Sequence, residues 1–181
     1  MDAEPHGELI RRTLEGEREA CRRLVSMHQG AIYRLALRIL GDAHLAEDVC
    51  QETFLRTLRR LRRLDTRRSL LFYLRRVATN LCINELRRRR RVVPLEEAAG
   101  AEDAADRPDA QARAARLREA VDVAIAELPA AQRAAFVLYH QDQLDYRRIA
   151  ELTGRPMGTV KSDLFRARRH VGEHLRNEGL V

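Results

Sequence analysis

The chain has 181 residues, of which 45% are hydrophobic, and this fraction supports one or two small packed domains and excludes a wholly disordered protein. Aromatic residues make up only 4% and tryptophan is absent, so the core has to consist of aliphatic side chains. The net charge of +7 favours a polyanionic partner such as nucleic acid.

The N-terminal segment and the cysteines give expectations about location. The first ten residues, MDAEPHGELI, are acidic and lack the apolar core of a signal peptide. No apolar run reaches the roughly 20 residues that span a bilayer. Cys21, Cys50 and Cys82 are far apart and form no C-x-x-C pair. We therefore expect a soluble cytoplasmic protein with reduced thiols, without membrane contact and without a metal or other cofactor.

Four helices are predicted in the first half of the chain, over residues 8–26, 29–40, 43–62 and 69–90. Apolar residues recur there at spacings of three and four, as an amphipathic helix requires. Gly41-Asp42 separates the second helix from the third, and Ser69 is the expected N-cap of the fourth. Because no alternating strand pattern competes, the predicted fold class is all-α.

The fourth helix has two unlike faces. One is an aliphatic stripe of Leu70, Leu74, Val77 and Leu81. The other mixes aromatic, apolar and basic groups, namely Phe72, Arg75, Arg76, Thr79 and Ile83. Two interpretations stay open. The aromatic groups pack on a neighbouring helix, or they stack on unpaired bases while the arginines and Asn80 form hydrogen bonds.

Residues 92–112 are predicted to be a flexible linker. They hold six acidic residues against one arginine, with Pro94, Gly100 and Pro108 as helix breakers. The linker separates an N-terminal helical domain, 8–91, from a C-terminal helical domain, 113–176.

The second domain contains the stretch GRPMGTVKSDLFRAR, residues 154–168. It is not a phosphate-binding P-loop, because two residues separate Gly158 from Lys161 and the preceding segment is helical. Asp145 is the expected N-cap of that preceding helix and Gly154 its left-handed end, which predicts a helix-turn-helix.

The second helix of this motif is predicted to bury one stripe and to expose another. The buried stripe is Met157, Val160, Leu164, Ala167 and Val171. The opposite face gathers Gly158, Lys161, Ser162, Phe165, Arg166 and Arg169, with Thr159 and Arg168 at its margins. An exposed aromatic residue among cations suits the major groove of DNA, and we favour that interpretation over packing on another protein.

Two other classes of function fit parts of the sequence. A stand-alone helix-turn-helix regulator accounts for residues 113–176 but leaves the aromatic and basic fourth helix without a role. An enzyme with a metal site has two candidate ligand sets, Asp42, His44, Glu47 and Asp48, and separately His170 with His174. Neither set is completed by a third convergent ligand at a recognisable spacing. No Ser/His/Asp or Cys/His arrangement suggests a catalytic residue.

Three stretches, two in the first domain and one in the second, carry a resemblance to a known family. RLALRILGDAHLAEDVCQETFLRTLRRL contains D-x-x-Q-x-x-F, and YLRRVATNLCINELRRR follows it. In the second domain, LPAAQRAAFVLYHQDQLDYRRIAELTGRPMGTVKSDLFRARR resembles a promoter-reading domain. Together they resemble the small bacterial sigma factors of the extracytoplasmic-function class, a sigma-70-like family, over residues 20–90 and 117–176.

The resemblance implies roles for named residues. The chain would bind RNA polymerase core through the β′ clamp helices and the β subunit, recognise promoter DNA, and be held inactive by an anti-sigma factor. The β′ contacts would be Asp48, Gln51 and Glu52. The −10 element would be read and melted by the loop at 62–69 and by Arg75, Arg76, Thr79 and Asn80. The −35 element would be read by Lys161, Ser162, Phe165, Arg166 and Arg168.

Several positions depart from the usual family pattern. Tyr73 stands where tryptophan is common, and Asn84 where aspartate is common. Arg147-Arg148 replaces a typical glutamate, and Gln143 replaces a frequent glycine.

Overall fold

A computed structural model describes residues 6–64, 69–92 and 109–181 of the chain. Every regular element in these ranges is helical, as the all-α prediction requires. The chain forms two compact units. Among the described residues, the first unit extends to Cys82 and includes Glu151–Thr153, and the second comprises the others from Ile83 onward.

The first unit begins with three packed helices: α1 (His6–Leu14), α2 (Arg18–Leu40) and α3 (Ala43–Arg60). α2 packs against both α1 and α3, and a short 3-10 turn, Leu61–Arg63, follows α3. The predicted break between residues 26 and 29 was wrong. The chain breaks at Gly16, whose φ of 91° lies in the left-handed region that favours glycine, and α2 runs without interruption through Gly30.

The junction between α2 and α3 follows the predicted residues. Gly41 has φ 69°, and its N–H donates to the Leu37 carbonyl at 2.7 Å, which ends α2. The Asp42 side chain accepts a hydrogen bond from the Leu45 N–H at 3.0 Å and caps α3. Asp42 therefore has a structural role at a helix start.

α4 (Leu70–Val92) begins directly after Ser69. Its buried side chains include Leu70, Leu74, Ala78 and Cys82, while Val77 and Leu81 of the predicted stripe are only half-buried. The buried positions therefore follow a four-residue spacing from Leu70, and the small side chains of Ala78 and Cys82 occupy the places predicted for Val77 and Leu81. Ile83, predicted on the opposite face, is also buried.

The second unit contains α5 (Asp109–Glu127), α6 (Ala130–His140), α7 (Tyr146–Thr153) and α8 (Met157–Asn177). α8 packs against α5 and α6, and its buried side chains include Val160, Leu164, Ala167 and Val171. Of the predicted linker at 92–112, residues 93–108 lie outside the described ranges. Helix α5 already starts at Asp109, four residues before the predicted domain boundary.

Among the described helices, none combines the length and the apolar character that crossing a bilayer requires.

Candidate nucleic-acid interface

The helix-turn-helix is built from α7, a tight turn and α8. The Asp145 carboxylate accepts the Arg148 N–H at 2.7 Å and caps α7, and Gly154 ends that helix with φ 67°. Both predicted turn residues are thereby confirmed. Pro156 immediately precedes α8, where its missing N–H leaves no intrahelical partner unpaired.

An ion pair between a half-buried arginine and a buried aspartate joins the turn to α8. Arg155, in the turn, donates to the carboxylate of Asp163, which is only 6% exposed. Burial raises the pKa of Asp163, while the charge of Arg155, and to a smaller extent that of Arg166, opposes the rise. Since Asp163 lies on the buried face of α8, this ion pair connects the turn to that face.

The opposite side of α8 is the exposed surface that the sequence predicted. We call it the α8 face, and it consists of Lys161, Ser162, Phe165, Arg166 and Arg169, which line one shallow depression. Phe165 is 67% exposed, an unusual position for a phenylalanine that has only a folding role. Met157, predicted in the buried stripe, is instead 48% exposed at the first turn of the helix. That part of the prediction was wrong, because the buried stripe of α8 begins only at Val160.

Two cations beside or within this face rest on tyrosine rings. The Arg168 guanidinium carbon lies 4.5 Å from the Tyr139 ring centroid, and the Lys161 ammonium lies 5.9 Å from that of Tyr146. Arg168 Nε also lies 3.2 Å from His140 Nε2. Neither tyrosine nor His140 was named as a site residue from the sequence, because only the fold brings α6 and α7 against this part of α8.

The predicted −10 residues of α4 differ in their access to solvent. Arg76 is exposed, Arg75 and Asn80 are half-buried, and Thr79 is fully buried. The Asn80 amide donates to the Arg76 carbonyl at 2.8 Å, one turn earlier. A contact between Thr79 and DNA therefore requires the surroundings of this side chain to rearrange.

The predicted polymerase contacts form one stripe on α3. Asp48 and Gln51 are exposed, and Glu52 is half-buried with its Oε1 accepting from Arg56 Nε at 2.6 Å. Leu55, one turn beyond Gln51 on the same side, is 50% exposed. We call Asp48, Gln51, Glu52 and Leu55 the α3 stripe. Leu55 was not named from the sequence, because the resemblance implied only polar residues as contacts there.

The remaining predicted features are placed as follows. Residues 65–68 of the loop at 62–69 lie outside the described ranges. His170 Nε2 and His174 Nδ1 lie 3.0 and 3.5 Å from the same Glu127 oxygen, which links α8 to the end of α5. Within residues 6–64, 69–92 and 109–181, no group of three or more His, Cys, Asp or Glu residues is arranged to hold a metal ion.

Comparisons with known proteins match both halves of the chain. Residues 24–92 match the family model described as Sigma-70 region 2, and residues 118–171 match Sigma-70, region 4. The extracytoplasmic-function (ECF) RNA polymerase sigma factor SigW of Bacillus subtilis is 32% identical over 93% of this chain and 95% of its own length. The ECF sigma factor SigE of Mycolicibacterium smegmatis is 34% identical over 84% of this chain and 60% of its own length.

A solved structure shows the same fold. It is the sigma factor RpoE of Bartonella quintana in complex with the anti-sigma factor NepR. The TM-score is 0.62 and the sequence identity 23%, with 86% of this chain and 96% of that chain covered.

Proposed function

We propose that this chain, which belongs to the extracytoplasmic-function class of the sigma-70 family, binds RNA polymerase core and directs it to promoters by recognising −10 and −35 DNA elements. In this proposal the N-terminal domain, 8–91, binds core and the −10 element. The C-terminal domain, 113–176, reads the −35 element, and residues 92–112 connect the two.

The observation that carries the proposal is the α8 face. Phe165 has no folding role at 67% exposure, and it is surrounded by Lys161, Arg166 and Arg169. The cations neutralise phosphates and bind base edges, and the ring contacts a thymine methyl group in the major groove. Ser162, whose hydroxyl donates to the Gly158 carbonyl at 3.1 Å, keeps lone pairs for an incoming donor.

The α3 stripe supports the proposed contact with the β′ clamp helices. Asp48 and Gln51 offer exposed polar groups beside the exposed Leu55, so one helix face combines charge with an apolar anchor. This combination is typical of protein interfaces, where a few anchoring side chains carry most of the affinity. The α3 stripe is acidic through Asp48 and Glu52, whereas the α8 face is basic. The α3 stripe therefore suits a protein partner better than DNA.

For the −10 element we propose Arg75, Arg76, Thr79 and Asn80 of α4 as contacts, together with the loop at 62–69. Arg76 is accessible in the described structure, and Thr79 becomes accessible only after rearrangement. We propose that binding to RNA polymerase core enzyme exposes Thr79.

Control by an anti-sigma factor belongs to the same proposal, as do a cytoplasmic location beside the polymerase and a role as an initiation factor that is not an enzyme. Contacts with the β subunit complete the set of proposed partners. The activity proposed here requires no cofactor of its own, because its parts are binding surfaces.

Reconstitution with core polymerase tests the proposal. The purified chain is added to core enzyme and a pool of promoter fragments, and transcript start sites are mapped. We expect specific starts that depend on the chain and disappear when either the α3 stripe or the α8 face is substituted. Tight duplex binding by the chain alone, with no initiation from core, would establish a stand-alone helix-turn-helix regulator instead.

A further inference from the structure

Arg168 is held on two sides by residues outside its own helix. Its guanidinium carbon lies 4.5 Å from the Tyr139 ring centroid, within the range of a cation–π contact. Its Nε lies 3.2 Å from Nε2 of His140, the next residue on α6. Arg168 is exposed, so without these contacts its long side chain would sample many rotamers.

The chemistry of this pair fixes the state of His140. Arginine has only donors, so Nε2 of His140 must accept and the imidazole must be neutral, with its proton on Nδ1. Burial, and after it the charge of Arg168, lowers the pKa of His140, which keeps the ring neutral near pH 7. With Nε engaged, the two terminal amino groups of Arg168 remain as donors for a phosphate or a base edge.

The tyrosine under Arg168 is itself supported. Tyr139 stacks on Tyr146 with ring centroids 5.3 Å apart and an interplanar angle of 20°. Tyr146 is the first residue of α7, and Lys161 of the α8 face lies 5.9 Å from its ring centroid. A single aromatic pair thus contacts two of the predicted DNA-binding cations, one on each ring.

We propose that Tyr139 and His140 are positioning residues that orient Arg168 toward promoter DNA, and that Tyr146 extends this platform to Lys161. The inference rests on the proposed function, because the family resemblance behind that function makes Arg168 a −35 contact. Its energetic basis is preorganisation. A guanidinium that is already seated loses less conformational freedom when it binds DNA.

The test measures promoter affinity of holoenzyme assembled from core and the full-length chain, on a duplex that the wild-type holoenzyme selects from a random pool. Five chains are compared, namely the wild type, Tyr139→Phe, Tyr139→Leu, Arg168→Ala and the double variant Tyr139→Leu/Arg168→Ala. Tyr139→Phe keeps the ring face and should bind like the wild type. Tyr139→Leu should weaken binding about threefold, the range of one exposed cation–π contact. In the Arg168→Ala background the same change should have a much smaller effect, limited to what the Tyr139–Tyr146 stack contributes beside Lys161.

Additive losses in the double variant, or an equal loss in Tyr139→Phe, would show that Tyr139 does not act through Arg168. Should Tyr139→Leu fail to fold, the pH profile of His140→Gln gives an independent answer. Glutamine keeps an acceptor that does not titrate. As the pH falls and His140 becomes protonated beside Arg168, the promoter affinity of the wild-type holoenzyme should therefore fall relative to that of His140→Gln. Parallel pH profiles of promoter affinity for the two proteins would overturn the inference.

Two further variants separate this inference from the proposed function. If Lys161→Ala and Phe165→Ala weaken promoter binding while Arg168→Ala does not, the α8 face still reads DNA and only the positioning inference fails. If none of the three substitutions changes promoter affinity, the proposed function of the α8 face fails with it.

Discussion

The two helices proposed to contact promoter DNA, α4 and α8, differ in how their candidate residues are presented. On α8 the face formed by Lys161, Ser162, Phe165, Arg166 and Arg169 is open, and the opposite side is buried. On α4 the exposed Arg76 is one turn from Thr79, which is completely buried. Of the two proposed DNA-contacting helices, α8 thus presents its candidate residues in an accessible form, and α4 has part of its candidate site covered.

The difference has a physical basis in duplex recognition and melting. A helix that reads the major groove binds intact duplex and needs a preformed surface. A helix that holds unpaired bases requires them to be unstacked first, so its site gains nothing from exposure before that step. The following substitutions test whether this division between the helices holds.

The largest effect on stability is expected at the ion pair between Arg155 and Asp163, which joins the turn to α8. Arg155→Ala leaves the Asp163 carboxylate buried without its ion-pair partner and should lower the free energy of unfolding by about 2 kcal/mol, because Arg155 itself is partly exposed. Denaturant unfolding of the purified chain measures it. Asp163→Asn in the Arg155→Ala background is the control, and it should recover most of the loss because an amide carries no charge to desolvate.

The same ion pair predicts how the destabilisation caused by Arg155→Ala depends on pH. Burial raises the pKa of Asp163 above its ordinary 3.8, so the folded state binds this proton more tightly than the unfolded state. The stabilisation that protonation gives is complete below 3.8 and is lost as the pH rises through the raised value. The defect of Arg155→Ala should therefore be smaller at about pH 4 than at pH 7. A defect of equal size at both pH values would show that Asp163 is not its cause.

A smaller effect is expected at the covered site of α4. The Thr79 hydroxyl is buried and has no hydrogen-bond partner among the described residues. Thr79→Val should therefore raise the free energy of unfolding by about 1 kcal/mol. If Thr79 is exposed by core binding and then contacts the −10 element, promoter opening by the variant holoenzyme should nevertheless slow, as measured with a fluorescent base near −10.

Thr53→Val is the matched control for this substitution. Thr53 is equally buried, but its hydroxyl donates to the Val49 carbonyl at 2.7 Å. Its removal should lower the free energy of unfolding by about 0.5–1 kcal/mol and leave promoter opening unchanged. An increase in stability from both substitutions would contradict the assignment of Thr79 as the unpaired group.

Much of the α8 face could be predicted from the sequence, because its determinants are local. The Asp145 cap, the Gly154 turn and the three-and-four spacing from Val160 onward act within one short segment. The burial of Thr79 and the platform of Tyr139 under Arg168 could not be predicted, since both depend on which residues distant in sequence pack together. The break at Gly16 was missed because a glycine tolerates a helix interior, as Gly30 does, as well as a left-handed turn.

The smallest effect is expected at Gln143, which stands where glycine is frequent in the family. Gln143 has φ 55°, a left-handed conformation that glycine adopts without cost, and its amide donates to the His140 carbonyl at 3.0 Å. Gln143→Gly relieves the strain but loses that bond, so a net gain in unfolding free energy of about 0.5 kcal/mol is expected. Gln143→Ala loses the bond and keeps the strain, and it should be destabilising.

The central claim, that the α3 stripe binds core polymerase and the α8 face reads DNA, is tested most directly by measuring both affinities for two variants. Phe165→Ala should bind core like the wild type and lose about tenfold in affinity for promoter DNA as holoenzyme. Asp48→Ala should show the reverse, with about tenfold weaker binding to core. Once saturated with core, it should have unchanged promoter affinity. Loss of core binding in Phe165→Ala, or unchanged core binding in Asp48→Ala together with unchanged promoter affinity in Phe165→Ala, would contradict the account.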